Sequence, residues 1–225
     1  LTKDEFIGLI APIAVKLRLE GSPLFASVRI AQALLETGGT VNPWNNLVGY
    51  KVGSGQPTAY WSGQRVSSNT WEVVQGQTYT NIRGDFRAYD SIEDGFRDQD
   101  LLFQTARYAK VRSAATPGEQ TQALLAAGYA TDPAYAAKLD AVIGNYGLQR
   151  YDEEVDTVLE ELKAEIESLR VKVAALQHLA ALDTVPDWAA DAVKAATAAG
   201  LVDTPAGGSY DFYRLLTVLH RKGMI

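Results

Sequence analysis

From Val155 onward, apolar residues return alternately every four and three positions, as Val155, Leu159, Leu162, Ile166, Leu169, Val173 and Leu176. A 3.5-residue period describes a helix with one apolar seam, so it divides the 225-residue chain into a segment before that helix and a shorter segment after it. Leu159, Ile166 and Val173 take position a of the heptad, and Val155, Leu162, Leu169 and Leu176 take position d. β-Branched residues at a with leucine at d favour a parallel dimer, in which Glu165 at g would face Arg170 at e of a second copy. The other reading is a single amphipathic helix folded back on its own domain, since three to four heptads are marginal alone. The expected organisation is a first domain over residues 1–150, a coiled-coil linker over 151–182 and a small module over 183–225.

Charge respects the same division. Residues 1–150 hold 14 Lys and Arg against 14 Asp and Glu, whereas 151–225 hold 7 against 13, which accounts for the net charge of -6. A neutral first domain argues against nucleic acid as its ligand. No uninterrupted apolar run is long enough to span a bilayer, so a soluble protein without a membrane partner is expected. No export signal is visible at the start, and a leader already removed would leave no trace. There is no cysteine, and the two histidines, His178 and His220, both come late. The first domain therefore has no thiol nucleophile, no Ser-His-Asp arrangement and no His or Cys metal site, and neither a metal nor a cofactor is expected. Its chemistry falls to carboxylates, tyrosine or lysine.

Within that domain, Thr2 and Glu5 form a capping box ahead of Phe6, Ile10, Ile13 and Leu17, an amphipathic helix that contains Pro12. Ser22-Pro23 predicts a second helix carrying Leu24, Val28, Ala31 and Leu35, stopped by Gly38-Gly39. Residues 60–89, rich in Tyr, Trp, Val and Thr around Gln75-Gly76, predict a small antiparallel lobe. Ser91 ahead of Asp94, Thr116-Pro117 ahead of Glu119, and Asp132-Pro133 each start a further helix. The fold class is α+β, mainly helical. Glu36 ends the second helix, where the negative pole of the helix dipole and a partly dry setting both disfavour the carboxylate. A carboxyl that stays protonated near neutral pH is what a glycosidase needs to protonate a leaving oxygen.

The runs ALLETGG and NNLVGYK at 45–51, FRAYDSIEDGFRDQDLL at 86–102 and YATDPAYAAKL at 129–139 stand in order along the chain. Together they resemble the glucosaminidase family of glycoside hydrolases, over roughly residues 5–148. The resemblance implies a lysozyme-like fold, with a helical lobe and a β-lobe facing across a groove, and cleavage of peptidoglycan glycan between N-acetylglucosamine and N-acetylmuramic acid. It assigns the general acid to Glu36. It assigns the second carboxylate, as a water-activating base, to Glu72 in the Thr70, Glu72, Gly76 setting, where an exposed strand residue is the other reading. Tyr129 matches a cleft tyrosine needed for activity, with a core tyrosine as its alternative. Asp98 matches a family aspartate and reads equally as a structural carboxylate. Asn45, Asn46 and Gly49 would let backbone and amides approach an N-acetyl group, a turn being part of the same job. Trp44, Tyr50, Tyr60 and Tyr135 offer faces for sugar stacking. Two departures bear on subsite preference: Gly39 stands directly where the family has tryptophan, and Val48 and Tyr50 replace phenylalanine and isoleucine. A muramidase or lytic transglycosylase of the same fold, and a non-catalytic wall-binding protein, are the competing functions.

The last segment, with Asp187-Trp188-Ala189, Gly200-Leu201 and Tyr213-Arg214, resembles one S-layer-homology repeat or a terminal module of wall lysins. That implies binding of a wall polymer through Trp188 and Arg214, a solvated helix charge being the other reading of Arg214, with dimerisation through the coil adding avidity. Synthesis without a leader and then holin-type release, as in a phage lysin, and secretion with a trimmed leader both suit such a chain.

Overall fold

A computed structural model describes residues 1–74 and 77–225, with side chains for all of these except 69–82. It forms two units, Leu1–Leu159 and Glu160–Ile225. In the first, α1 (Lys3–Leu19) starts at the expected capping box: Glu5 N donates to Thr2 Oγ1 at 3.2 Å, and Thr2 N to Glu5 Oε2 at 2.7 Å. Phe6, Ile10 and Leu17 are buried on its inner face, and Pro12 lies inside the helix.

The second helix, α2 (Ala26–Thr37), begins later than Ser22-Pro23 suggests. Ser22 is drawn inward, its hydroxyl bonded to Arg29 and Asp100, and Phe25 at the cap position supplies no side-chain hydrogen bond. Distant residues meet the free donors of this helix start instead. Phe25 N donates to Gln120 Oε1 at 2.8 Å, and Ser27 N donates to Asp152 Oδ1 at 3.1 Å. At the other end Gly38 closes the helix in the left-handed region, φ 63°, where an L side chain would be strained.

Strands β1 (Arg65–Val74) and β2 (Gln77–Arg87) pair antiparallel from Arg65 opposite Arg87 to Val74 opposite Gln77, with an irregularity between Thr70 and Glu72. They are the only strands among the described residues, and the expected Gln75-Gly76 turn lies outside those residues. Lys51 bridges to Phe86 and ties the preceding loop to β2. Helices α3 (Ile92–Phe103), α4 (Ala109–Arg112), α5 (Pro117–Ala126) and α6 (Tyr135–Asn145) complete the lobe. Ser91 and Thr116 cap α3 and α5 as expected, accepting from Asp94 N at 3.0 Å and Glu119 N at 3.2 Å. Asp132 accepts from Ala134 N at 2.9 Å just ahead of α6, which starts at Tyr135. The fold is mainly helical and lysozyme-like, with a main core that includes Phe6, Ile10, Leu34, Phe96, Phe103, Leu139 and Val155 and a smaller cluster of Val52, Trp61 and Tyr89.

Helix α7 (Gln149–Ala180) carries the heptads. Val155 is buried in the first unit's core, so the exposed stripe starts only at Leu159 and continues through Leu162, Ile166, Leu169, Val173 and Leu176. The second unit contains α8 (Ala190–Ala198) and α9 (Tyr210–Arg221), packed around Ala192, Val193, Ala196, Tyr213 and Leu216. Tyr213 staples its loop by donating to Pro205 O at 2.8 Å and accepting from Gly208 N at 3.1 Å. No described helix is long and apolar enough to cross a membrane.

Candidate active site

A groove of about 820 Å³ opens on the first unit, walled by the end of α2, the loop of residues 48–51, Phe86 of β2, α3, and the segment leading into α6. Glu36 lies in its wall because α2 ends there. Glu36 as a residue is exposed, yet the surrounding walls remove enough water from its carboxyl to push its pKa above the ordinary 4.5. The negative pole of α2 acts in the same direction. Gly49 adopts φ +62°, and a Cβ built on it would lie 3.5 Å from Glu36 Oε2, so the loop backbone approaches the acid closely.

Tyr129 and Tyr135 also line the groove. Their rings stand 5.9 Å apart, and Tyr129 stacks on Phe103 at 5.6 Å. Burial first, and then the nearby Glu36 charge, hold the Tyr129 hydroxyl well above its ordinary value of 10. Burial, Tyr129 and Glu36 do the same for Tyr135, so both stay protonated at any working pH. Tyr50 lines the groove as expected, and Tyr60 does not; it lies beside Arg97, whose guanidinium is 5.9 Å from its ring.

Three more of the expected site residues lie outside the groove lining. Asp98 is 1% exposed and stands away from the groove lining, accepting from Arg87 Nη1, the Tyr89 hydroxyl and the Thr58 hydroxyl, each at 2.7 Å. With its oxygens so committed, its geometry favours the structural reading of this carboxylate. It holds Arg87, whose guanidinium lies 4.3 Å from the ring of Tyr50 and 4.2 Å from Trp61, and so steadies a groove wall. Asn46 donates to Tyr50 O at 2.8 Å and Arg87 O at 2.9 Å and accepts from Tyr50 N at 2.9 Å. Asn45, left-handed at φ 56°, donates to Tyr89 O at 3.0 Å and Asp90 O at 3.2 Å. Both amides shape the loop, and neither lines the groove; Gly49, Tyr50 and Lys51, which they position, do. The backbone of Glu72 pairs opposite Tyr79, and its side chain lies outside the described residues.

Gln99, Tyr108, Asp132 and Lys138 line the groove without having been named as site residues from the sequence, as do Lys51 and Thr131. The available signals were Gln32 and Arg29, polar residues inside the apolar run of α2, one and two turns before Glu36 and both fully buried. Among the described residues no cluster of His, Asp and Glu is placed to hold a metal ion. In the second unit Trp188 and Arg214 flank Tyr210: Trp188 meets its ring edge-on at 5.4 Å, and the Arg214 guanidinium is 5.9 Å from it.

Residues 13–148 match the sequence profile of the Glucosaminidase family, described as mannosyl-glycoprotein endo-beta-N-acetylglucosaminidase. The chain is similar to the exo-glucosaminidase LytG of Bacillus subtilis, 34% identical over 142 residues that cover 56% of this chain and 46% of that protein. It is also similar to a probable N-acetylmuramidase of Lactococcus lactis subsp. cremoris, 32% identical over 158 residues, covering 67% of this chain and 35% of the other. The chain thus spans less than half the length of these curated relatives. Among solved structures, a peptidoglycan hydrolase mutant from Sphingomonas sp. A1 superposes with a TM-score of 0.55 at 35% identity, over 65% of this chain and 96% of that one.

Proposed function

The chain belongs to the Glucosaminidase family, and on that premise we propose that its first unit is a peptidoglycan hydrolase cleaving the β-1,4 bond between N-acetylglucosamine and N-acetylmuramic acid. The observation that carries this reading is Glu36, a carboxyl held above its ordinary pKa in the wall of a sugar-sized groove. Glu36 protonates the glycosidic oxygen as the bond breaks, and the developing positive charge at the anomeric carbon is taken by water. Glu72, carried by the hairpin that rises from the Phe86 wall, activates that water. The alternative is assistance by the substrate's own N-acetyl group, which would retain configuration where water attack inverts it.

The resemblance to a probable N-acetylmuramidase keeps a muramidase as the second reading, and a lytic transglycosylase would use the same acid. Mass spectrometry of borohydride-reduced digests of purified wall separates them. The proposal expects reduced N-acetylglucosamine ends from wild type and none from Glu36→Gln. Reduced N-acetylmuramic acid or anhydro ends would replace the first reading with one of the others, and release by Glu36→Gln equal to wild type would remove all three.

We further propose that the second unit binds an anionic wall polymer through Trp188 and Arg214, both exposed on one aromatic cluster, so that the protein acts at the bacterial cell wall. Through the stripe from Leu159 to Leu176, α7 pairs with a second copy, with Glu165 facing Arg170 across the seam. A dimer would present two polymer-binding modules on one wall and raise avidity.

A further inference from the structure

Behind the groove runs a chain of buried hydrogen bonds whose direction is set at one end. Arg29, fully buried in α2, donates from Nη1 to Phe96 O at 3.2 Å and to Gln99 Oε1 at 3.1 Å, and from Nη2 to Ser22 Oγ at 2.7 Å and to the Asp100 carboxylate. Gln99 Nε2 donates to Gln32 Oε1 at 3.2 Å and to the Tyr129 hydroxyl at 2.8 Å. Gln32 Nε2 in turn donates to the Tyr135 hydroxyl at 3.0 Å. Both glutamines are essentially inaccessible to solvent.

The two ends of an amide are chemically opposite, one accepting and one donating. A guanidinium only donates, so Gln99 must present its oxygen to Arg29 and its nitrogen to Tyr129 and Gln32. Gln32 must then turn its oxygen to Gln99 and its nitrogen to Tyr135. Each phenol oxygen accepts one of these bonds, and its single proton cannot point back along it. Neither hydroxyl makes another hydrogen bond among the described residues, and both rings line the groove.

We propose that Gln99 and Gln32 are positioning residues that hold Tyr129 and Tyr135 as hydrogen-bond donors into the groove, aimed at acceptor oxygens of a bound N-acetylated glycan. Arg29 fixes the direction of the whole set, and Asp100 balances its buried charge. The site is thereby prepared in advance for a ligand rich in acetamido carbonyl and ether oxygens, with no reorientation needed when it binds. The inference rests on the proposed glycan substrate.

Gln32→Glu gives the cleanest test. The new carboxylate still accepts from Gln99, and its other oxygen can accept only from Tyr135, which turns that one proton away from the groove. We expect kcat/KM on soluble peptidoglycan glycan fragments to fall about tenfold in the Tyr135 protein, the loss of one hydrogen bond, and to change less than about twofold in the Tyr135→Phe background. A merely structural role would lower activity equally in both backgrounds, and that result would overturn the proposal. Should the buried charge prevent folding, Gln32→Met removes the bond that holds Tyr135; a larger loss in the Tyr135 protein than in the Tyr135→Phe background upholds the proposal, and equal losses overturn it. Calorimetric affinity for the N-acetylglucosamine tetramer is measured on the same proteins. If wild type cleaves no glycan, the functional reading fails by itself, and the tenfold-against-twofold pattern in affinity upholds the relay while equal losses refute it.

Discussion

In its proposed role as general acid, Glu36 lies where stability and function pull against each other. Its folded-state pKa is raised above the ordinary 4.5, so ionising it at neutral pH costs folding free energy. Below pH 4.5 the carboxyl is protonated in both the folded and the unfolded chain and makes no difference; above the folded-state pKa it is ionised in both, and the folded state is the worse host. Glu36→Gln should therefore raise the melting temperature at neutral pH, with the gain shrinking as pH falls towards 4.5, while activity drops by roughly 10²–10⁴-fold. Thermal scans at a series of pH values check this, and a gain that grows on acidification would contradict it. Asp98 is a different case, a buried carboxylate paired with Arg87 and outside the groove lining. Asp98→Ala leaves that guanidinium buried without its charge partner and should cost roughly 3–5 kcal/mol in a urea titration.

At the scale of elements, the hairpin and α7 carry the open roles. Glu72→Gln should reduce kcat by at least about a hundredfold if Glu72 activates the water; near-normal turnover would assign that work to the substrate's N-acetyl group. Leu162→Asp with Leu169→Asp should convert a dimer to a monomer by light scattering, since it places charges at two d positions of the seam. A wild-type monomer would contradict the pairing. Signals that act within one turn were legible in the chain itself: Thr2 with Glu5, Ser91 with Asp94 and Thr116 with Glu119 start helices as their spacing implies. The start of α2 was not, because its donors are met by Gln120 and Asp152 from about a hundred residues away while Ser22 turns inward to Arg29. Local pattern likewise identified the loop of Asn45 and Asn46 but not which way its amides face, since their partners include the backbone of Arg87, Tyr89 and Asp90. Val155 fits the heptad period and is nonetheless claimed by the core of the first unit.

For the whole molecule, the proposed division of labour gives cutting to the first unit and wall holding to the second. Removing 183–225 should leave turnover of soluble glycan fragments unchanged and weaken co-sedimentation with intact wall, and Trp188→Ala or Arg214→Ala should reproduce the second effect. Equal wall retention by all four proteins would leave the second unit without the proposed role. The proposed glycan cleavage depends on a single proton being present on Glu36 when substrate arrives. A carbon-13 NMR titration of the Glu36 side-chain carboxyl, assigned by its absence in Glu36→Gln, reads that proton directly. The account predicts a midpoint above 4.5, and a midpoint at or below 4.5 would contradict it.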